Sequence, residues 1–137
     1  MIYPENFESK IKFDKIRQLI RNYCLSDMGC ELVEAMTFSS DHQIIGEQLS
    51  ETKELMEILQ GEENFPADHF RDARPFLHKI RIEGIFLEIP EMVALKNSLD
   101  SISSIVRFFK NKETRFPILT GKAGNIRLFP AIQQRLD

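Results

Sequence analysis

Apolar positions return along most of this chain at intervals of three and four, the period that lines up one face of an α-helix. Phe13, Ile16, Leu19, Ile20 and Tyr23 predict a helix lasting to about Cys24. Asp14 stands at its start, where a carboxylate accepts free amide hydrogens and meets the positive end of the dipole. Ser26 reads as the cap of a second helix, with Gly29, Leu32, Val33 and Met36 along one side. Glycine inside a helix costs about 1 kcal/mol against alanine, so Gly29 predicts the close approach of a neighbouring helix.

A third helix opens at Asp41 and closes at Gly61. Its seam of Ile45, Leu49, Thr52, Met56 and Leu59 alternates spacings of four and three, as in an antiparallel bundle or short coiled coil. Thr52 is the hydroxyl residue on that seam. The expected role is structural: the methyl fills a small gap and the hydroxyl bonds the carbonyl one turn back or a crossing loop, so that Thr52→Val costs about 1 kcal/mol.

The stretch "EENFPADHFRDARP" reads as a loop, interrupted by Pro66 and Pro75. Phe76, Leu77 and Ile80 suggest a short helix, and residues 84–89, bracketed by Gly84 and Pro90, fit either a strand or a loop. Met92, Leu95, Leu99, Ile102, Val106 and Phe109 then carry a seam from Pro90 to about Lys110. At 1.5 Å per residue that helix is about 30 Å long, enough for a lever or strut.

Residues 113–137 are broken by Pro117, Gly121, Gly124 and Pro130 and read as an irregular tail, until "AIQQRL" begins a further helical pattern. A helix cut off in its first turns predicts a fragment of a larger protein. The expected fold is all-α, a helical bundle with one long lever-type helix. Residues 1–112 form its core and lever segment, and residues 113–137 lead into a truncated element.

Composition narrows the function. A chain of 137 residues supports one compact domain but is short for two. With 28% charged and 42% hydrophobic residues it has ordinary globular usage. The net charge of −3 argues against a free-standing grip on a phosphate backbone. Cys24 and Cys30 match neither a paired-thiol redox motif nor a zinc knuckle and read as free thiols in a reducing cytosol. Neither a signal peptide nor an apolar run of about 20 residues is present, so a cytoplasmic location without a membrane partner is expected.

Each candidate for chemistry has a plainer structural explanation. In "TGKAGN", Gly121 and Lys122 match a phosphate-binding loop, but Phe116 replaces its first glycine and Ala123 its hydroxyl residue, which removes the cradle and the magnesium ligand. Asp68, His69 and Asp72 have metal or acid-base side chains, yet His42 and His78 lie elsewhere, so a solvated loop with Asp72 capping the next helix is the expectation. No serine sits in a nucleophile elbow and neither cysteine has an activating histidine beside it. Lys10, Arg17 and Arg21, and likewise Arg107, Lys110, Lys112 and Arg115, read as solvated helix faces, the second group also favoured by a helix C-terminus. No catalytic, cofactor-binding or metal-binding residue is therefore assigned, and nucleic-acid-binding residues are left unassigned.

The order of "IKFDKIRQLIRNYCLSDMGCELVEAM", "IGEQLSETKELMEIL", a proline-containing loop and "RDARPFLHKIRIEGIFLEIPEMVALKNSL" resembles the amino-terminal region of the type II bacterial MutS proteins, paralogues that usually carry a carboxy-terminal Smr domain. The matching positions are Phe13, Asp14, Ile16, Ser26, Gly29, the Glu51-Thr52 pair, Arg71, Asp72, Gly84 and Leu87, within residues 5 to 112. The resemblance implies a helical core and lever segment that couples a DNA clamp to an ATPase. It implies a parent that binds ATP and Mg, recognises unusual DNA structures, restrains recombination within the mismatch-repair superfamily and carries an endonuclease-like module. Its implied partners are the remaining MutS domains, DNA through the parent, a second copy and the ribosome. None of the implied catalytic or nucleotide residues falls on this sequence. The alternative is a stand-alone helical module for protein-protein interaction or dimerisation.

Overall fold

The computed structural model describes residues 7–61, 64–66 and 71–136, which form eight α-helices and, among the described residues, no strand. The fold is all-α, and the chain divides into two compact units, Met1–Phe38 and Ser39–Asp137.

The first unit holds α1 (Phe7–Lys10), α2 (Phe13–Asn22) and α3 (Asp27–Glu34). Lys12, in the left-handed conformation at φ 58°, stands at the cap position of α2, and Asp14 falls inside the first turn instead of capping it. Ser26 does cap α3, its hydroxyl accepting the Gly29 amide at 3.1 Å. A β-carbon on Gly29 would lie 3.5 Å from Cys24 Cβ and Ser26 Oγ, an ordinary contact within the same turn region. The neighbouring helix expected against Gly29 is not what meets it.

Arg17 ties this unit together. Its Nη1 donates to the carbonyls of Val33, Glu34 and Met36 at 2.9 to 3.0 Å, and Nη2 to Glu8 Oε2 at 2.6 Å. A fixed cation therefore closes the C-terminal end of α3, where orphan carbonyls and the dipole both favour it. Within the same unit the apolar face of α2 stays open: Ile16, Leu19, Ile20 and Tyr23 are all exposed.

The second unit contains α4 (His42–Gln60), α5 (Arg74–Lys79), α6 (Ile89–Phe108), α7 (Pro117–Gly124) and α8 (Pro130–Leu136). Asp41 caps α4, accepting the amides of Gln43 and Ile44 at 2.9 and 3.1 Å, and Gly61 ends it. The seam expected to be buried on α4 faces outward: Leu49 is 65% and Leu59 62% exposed, and Thr52 is exposed with them. Thr52 Oγ1 does donate to the Gln48 carbonyl at 2.9 Å, but the residue is exposed and not in a packed seam. With water able to replace that bond, Thr52→Val falls in the range of surface changes, within about 0.5 kcal/mol.

The buried face of α4 carries Glu54 and Ile58 instead. Ile58 is 1% exposed and packs in a core with Phe109, Phe116 and Ala123, flanked by Phe65, Ile105, Phe108 and Leu119. Phe65, Phe108 and Phe109 meet edge to face, with ring centroids 5.2 to 6.1 Å apart, which adds to area burial. Phe116 is wholly buried.

Residues 84–88 form a turn and loop, with Gly84 at φ +82°, before α6 begins. Pro90 lies in the first turn of α6, where its missing amide leaves no bond unmade. The Glu88 amide donates to Glu91 Oε2 at 2.8 Å, and Lys79 Nζ pairs with the same carboxylate at 2.7 Å, joining α5 to α6. Ala94, Leu95, Ser98 and Ser103 are buried, while Met92, expected on the seam, is exposed.

The stretch read as an irregular tail holds α7 and α8. Its prolines begin helices: Pro117 is the first residue of α7 and Pro130 the first of α8.

Candidate functional site

After α6, Asn111 takes a left-handed conformation at φ 64° and reverses the chain. Phe116 then enters the core and Pro117 starts α7, whose second and third amides point at Glu54. Ile118 N donates to Glu54 Oε1 at 3.1 Å and Leu119 N to Oε2 at 2.9 Å. A buried carboxylate from α4 thus does for α7 what Phe116 at its cap position cannot. Lys122 Nζ meets Glu51 Oε2 at 2.7 Å on the same α4–α7 boundary.

Helix α8 returns along α6 through polar bonds. Gln133 Nε2 donates to Asp100 Oδ1 at 2.9 Å, and Ser103 Oγ donates to Gln133 Oε1 at 3.2 Å. Between α6, α7 and α8 lies an open groove of about 660 Å³, with Val106, Phe109, Pro117, Ala123, Leu128 and Pro130 supplying apolar walls. Ser103, Thr120 and Gln133 add polar atoms, and Arg107, Lys110 and Glu113 the charges. The Thr120 hydroxyl is buried and has no hydrogen-bond partner among the described residues. Apolar walls with a few directed polar groups are the chemistry of a binding surface.

The residues singled out from the sequence do not converge here. Asp68 and His69 lie outside the described residues. Asp72 accepts the Arg74 amide at 2.9 Å at the head of α5, and the Arg74 side chain, then its amide, hold the Asp72 carboxyl below its ordinary range. His42 begins α4 and His78 lies in the last turn of α5. Among the described residues no group of three His, Cys, Asp or Glu side chains is placed to hold a metal.

Gly121 and Lys122 sit inside α7, so their backbone makes a helix where a phosphate-binding loop would be. Cys24 and Cys30 are half-buried free thiols, and partial burial, with the Cys30 thiol adding to it, raises the Cys24 pKa. Arg17 and Arg21 are engaged within their unit, Arg21 with Glu34 at 2.9 Å. Of the second basic group, Lys112 stacks its ammonium 3.7 Å over the Phe108 ring and Arg115 lies 4.9 Å over Phe116. Among the described residues, no helix is long and apolar enough to cross a membrane.

Sequence reasoning missed Glu54 and the groove. Pro117 was the available signal, since a proline that starts a helix leaves later amides needing an acceptor.

No family model matches the chain, and no solved structure matches it. Curated relatives do. The endonuclease MutS2 of Alkaliphilus metalliredigens is 27% identical over 129 residues, which is 93% of this chain and 16% of that protein. That of Ligilactobacillus salivarius is 25% identical over 129 residues, 92% of this chain and 16% of the relative. That of Staphylococcus saprophyticus is 26% identical over 136 residues, 93% of this chain and 17% of the relative. The chain is therefore related to the type II MutS proteins, and it spans about one sixth of the length of these relatives.

Proposed function

We propose that this chain acts as a non-catalytic helical segment of a type II MutS-like, DNA-binding ATPase, where it couples a DNA clamp to the nucleotide site. The observation that carries the reading is α6. It is a 20-residue helix fixed at both ends, by the Lys79–Glu91 pair at one and by the Phe109–Phe116 core at the other. A helix held in this way moves as a rod and can transmit a rotation. On this reading the ATP and Mg site, DNA recognition, the nuclease activity in the relatives' name, and any contact with a second copy or a ribosome belong to other parts of a longer cytoplasmic polypeptide.

The test is Asn97→Pro in that longer protein. Asn97 is exposed midway along α6, so the substitution breaks the rod without entering the core. The expected result is DNA binding and basal ATP hydrolysis retained, with the effect of DNA on hydrolysis lost. Unchanged coupling would sink the lever reading.

The α4 seam, with Leu49, Met56 and Leu59 exposed and Ile45 half-buried, favours a second reading, a self-contained interaction module. It requires a stable dimer or a tight partner complex of the 137-residue chain at micromolar concentration, which sedimentation would reveal.

A further inference from the structure

We propose that the groove between α6, α7 and α8 is the seat of an acidic amphipathic helix supplied by the remaining length of a type II MutS-like polypeptide, an inference that rests on the reading just given. Four observations converge. The cavity of about 660 Å³ is walled by Val106, Phe109, Ala123 and Leu128, an apolar surface suited to the apolar face of a helix.

Gly121 stands inside α7, where glycine costs about 1 kcal/mol against alanine. A β-carbon there would meet nothing within 4 Å, and the same holds at Gly124, the last residue of α7. No contact among the described residues accounts for Gly121. A crossing helix brought close to α7 does, because small residues let helix backbones approach.

The buried Thr120 hydroxyl lacks a partner, and a side chain entering the groove can supply one. Arg107, Lys110 and Glu113 line the groove and form no ion pair among the described residues, which leaves one surplus positive charge. Carboxylates on the incoming helix match that surplus. The relatives are about six times as long as this chain, ample length to provide the helix.

The test compares the 137-residue chain with the longer polypeptide encoded by its source gene. Glu113→Cys and, separately, Leu128→Cys are introduced, both at exposed positions on the groove wall and away from the glycines of α7. Labelling by a maleimide is followed by mass spectrometry of the peptide carrying each introduced thiol, which keeps Cys24 and Cys30 apart from the readout. The expected result is fast labelling in the 137-residue chain, labelling slower by at least about tenfold in the longer polypeptide, and partial recovery when Arg107→Glu and Lys110→Glu are added.

Equal labelling in the two proteins overturns the groove assignment and leaves the lever reading standing. Protection that depends on protein concentration also overturns it, by making a second copy the occupant. A gene that ends close behind Asp137 overturns both.

Discussion

The Glu54 carboxylate, on α4, accepts the backbone amides of Ile118 and Leu119 at 3.1 and 2.9 Å, so one side chain closes a helix that begins 63 residues later in the chain, at Pro117. The group is buried, and its two bonds are charge-assisted. Glu54→Ala leaves two part-buried amides without their acceptor and is expected to cost about 2 to 4 kcal/mol, whereas Glu54→Gln keeps one acceptor and costs less. Urea unfolding of the three proteins checks the order. Equal stability of parent and Glu54→Ala would show that water serves these amides as well.

Phe116 joins α4, α6 and α7 in one core. Truncating a wholly buried aromatic removes its contacts and leaves a cavity, so Phe116→Ala is expected to cost about 3 to 5 kcal/mol and Phe116→Leu markedly less. Thermal unfolding followed by circular dichroism distinguishes the two. A loss confined to Arg115–Gly124 by hydrogen exchange would instead mean that α7 is an appendage to the unit.

Arg17 offers the corresponding test in the first unit. Its side chain is only 13% exposed, and its two arms divide the work, Nη1 donating to three carbonyls at the end of α3 and Nη2 to Glu8. Lysine brings the same charge without the planar fork. Arg17→Ala is expected to cost about 2 to 3 kcal/mol of local stability, and Arg17→Lys to recover less than half. Native-state exchange of the α3 amides measures this within Met1–Phe38, and full rescue by lysine would reduce the role of Arg17 to charge alone.

Acid sensitivity has an identifiable contributor in Glu91. The Lys79 ammonium, followed by the Glu88 amide, holds the Glu91 carboxyl below the ordinary range. A folded pKa below the unfolded one adds stability above the unfolded value, about 4.3 for glutamate, and that stability is lost as pH falls through the folded value. Glu91→Gln should therefore unfold at lower urea than the parent near about pH 7, with the gap closing at about pH 2.5. A gap of the same size at both pH values would assign it to packing.

Local chemistry made much of this fold legible. Ser26 and Asp41 were read as caps and are caps, because the acceptor lies within three residues of the amides it serves. Pro90 marked the first turn of α6 for a similarly local reason, a fixed φ and a missing donor. The cluster of Lys10, Arg17 and Arg21 was read as a solvated helix face; Arg21 is exposed beside Glu34, but Arg17 is only 13% exposed and is bonded to the end of α3.

The errors came where the partner is distant. On α4 the most apolar stripe was taken as the buried one, yet the unit buries the stripe of Glu54 and Ile58, because the carboxylate finds the amides of α7 and Ile58 finds Phe116. Periodicity ranks faces by hydrophobicity and carries no information about an acceptor needed more than 60 residues away.

The sequence by itself determined that the chain is helical and where most helices begin and end, since these follow from residue spacing and short-range bonds; its relation to type II MutS proteins rests on likeness to their sequences. Only the tertiary structure decided which face of α4 is inside, that residues after Lys112 complete the core, and that α6, α7 and α8 enclose a groove. Those outcomes depend on long-range pairing, in which buried carboxylate, amide and aromatic ring must be satisfied together.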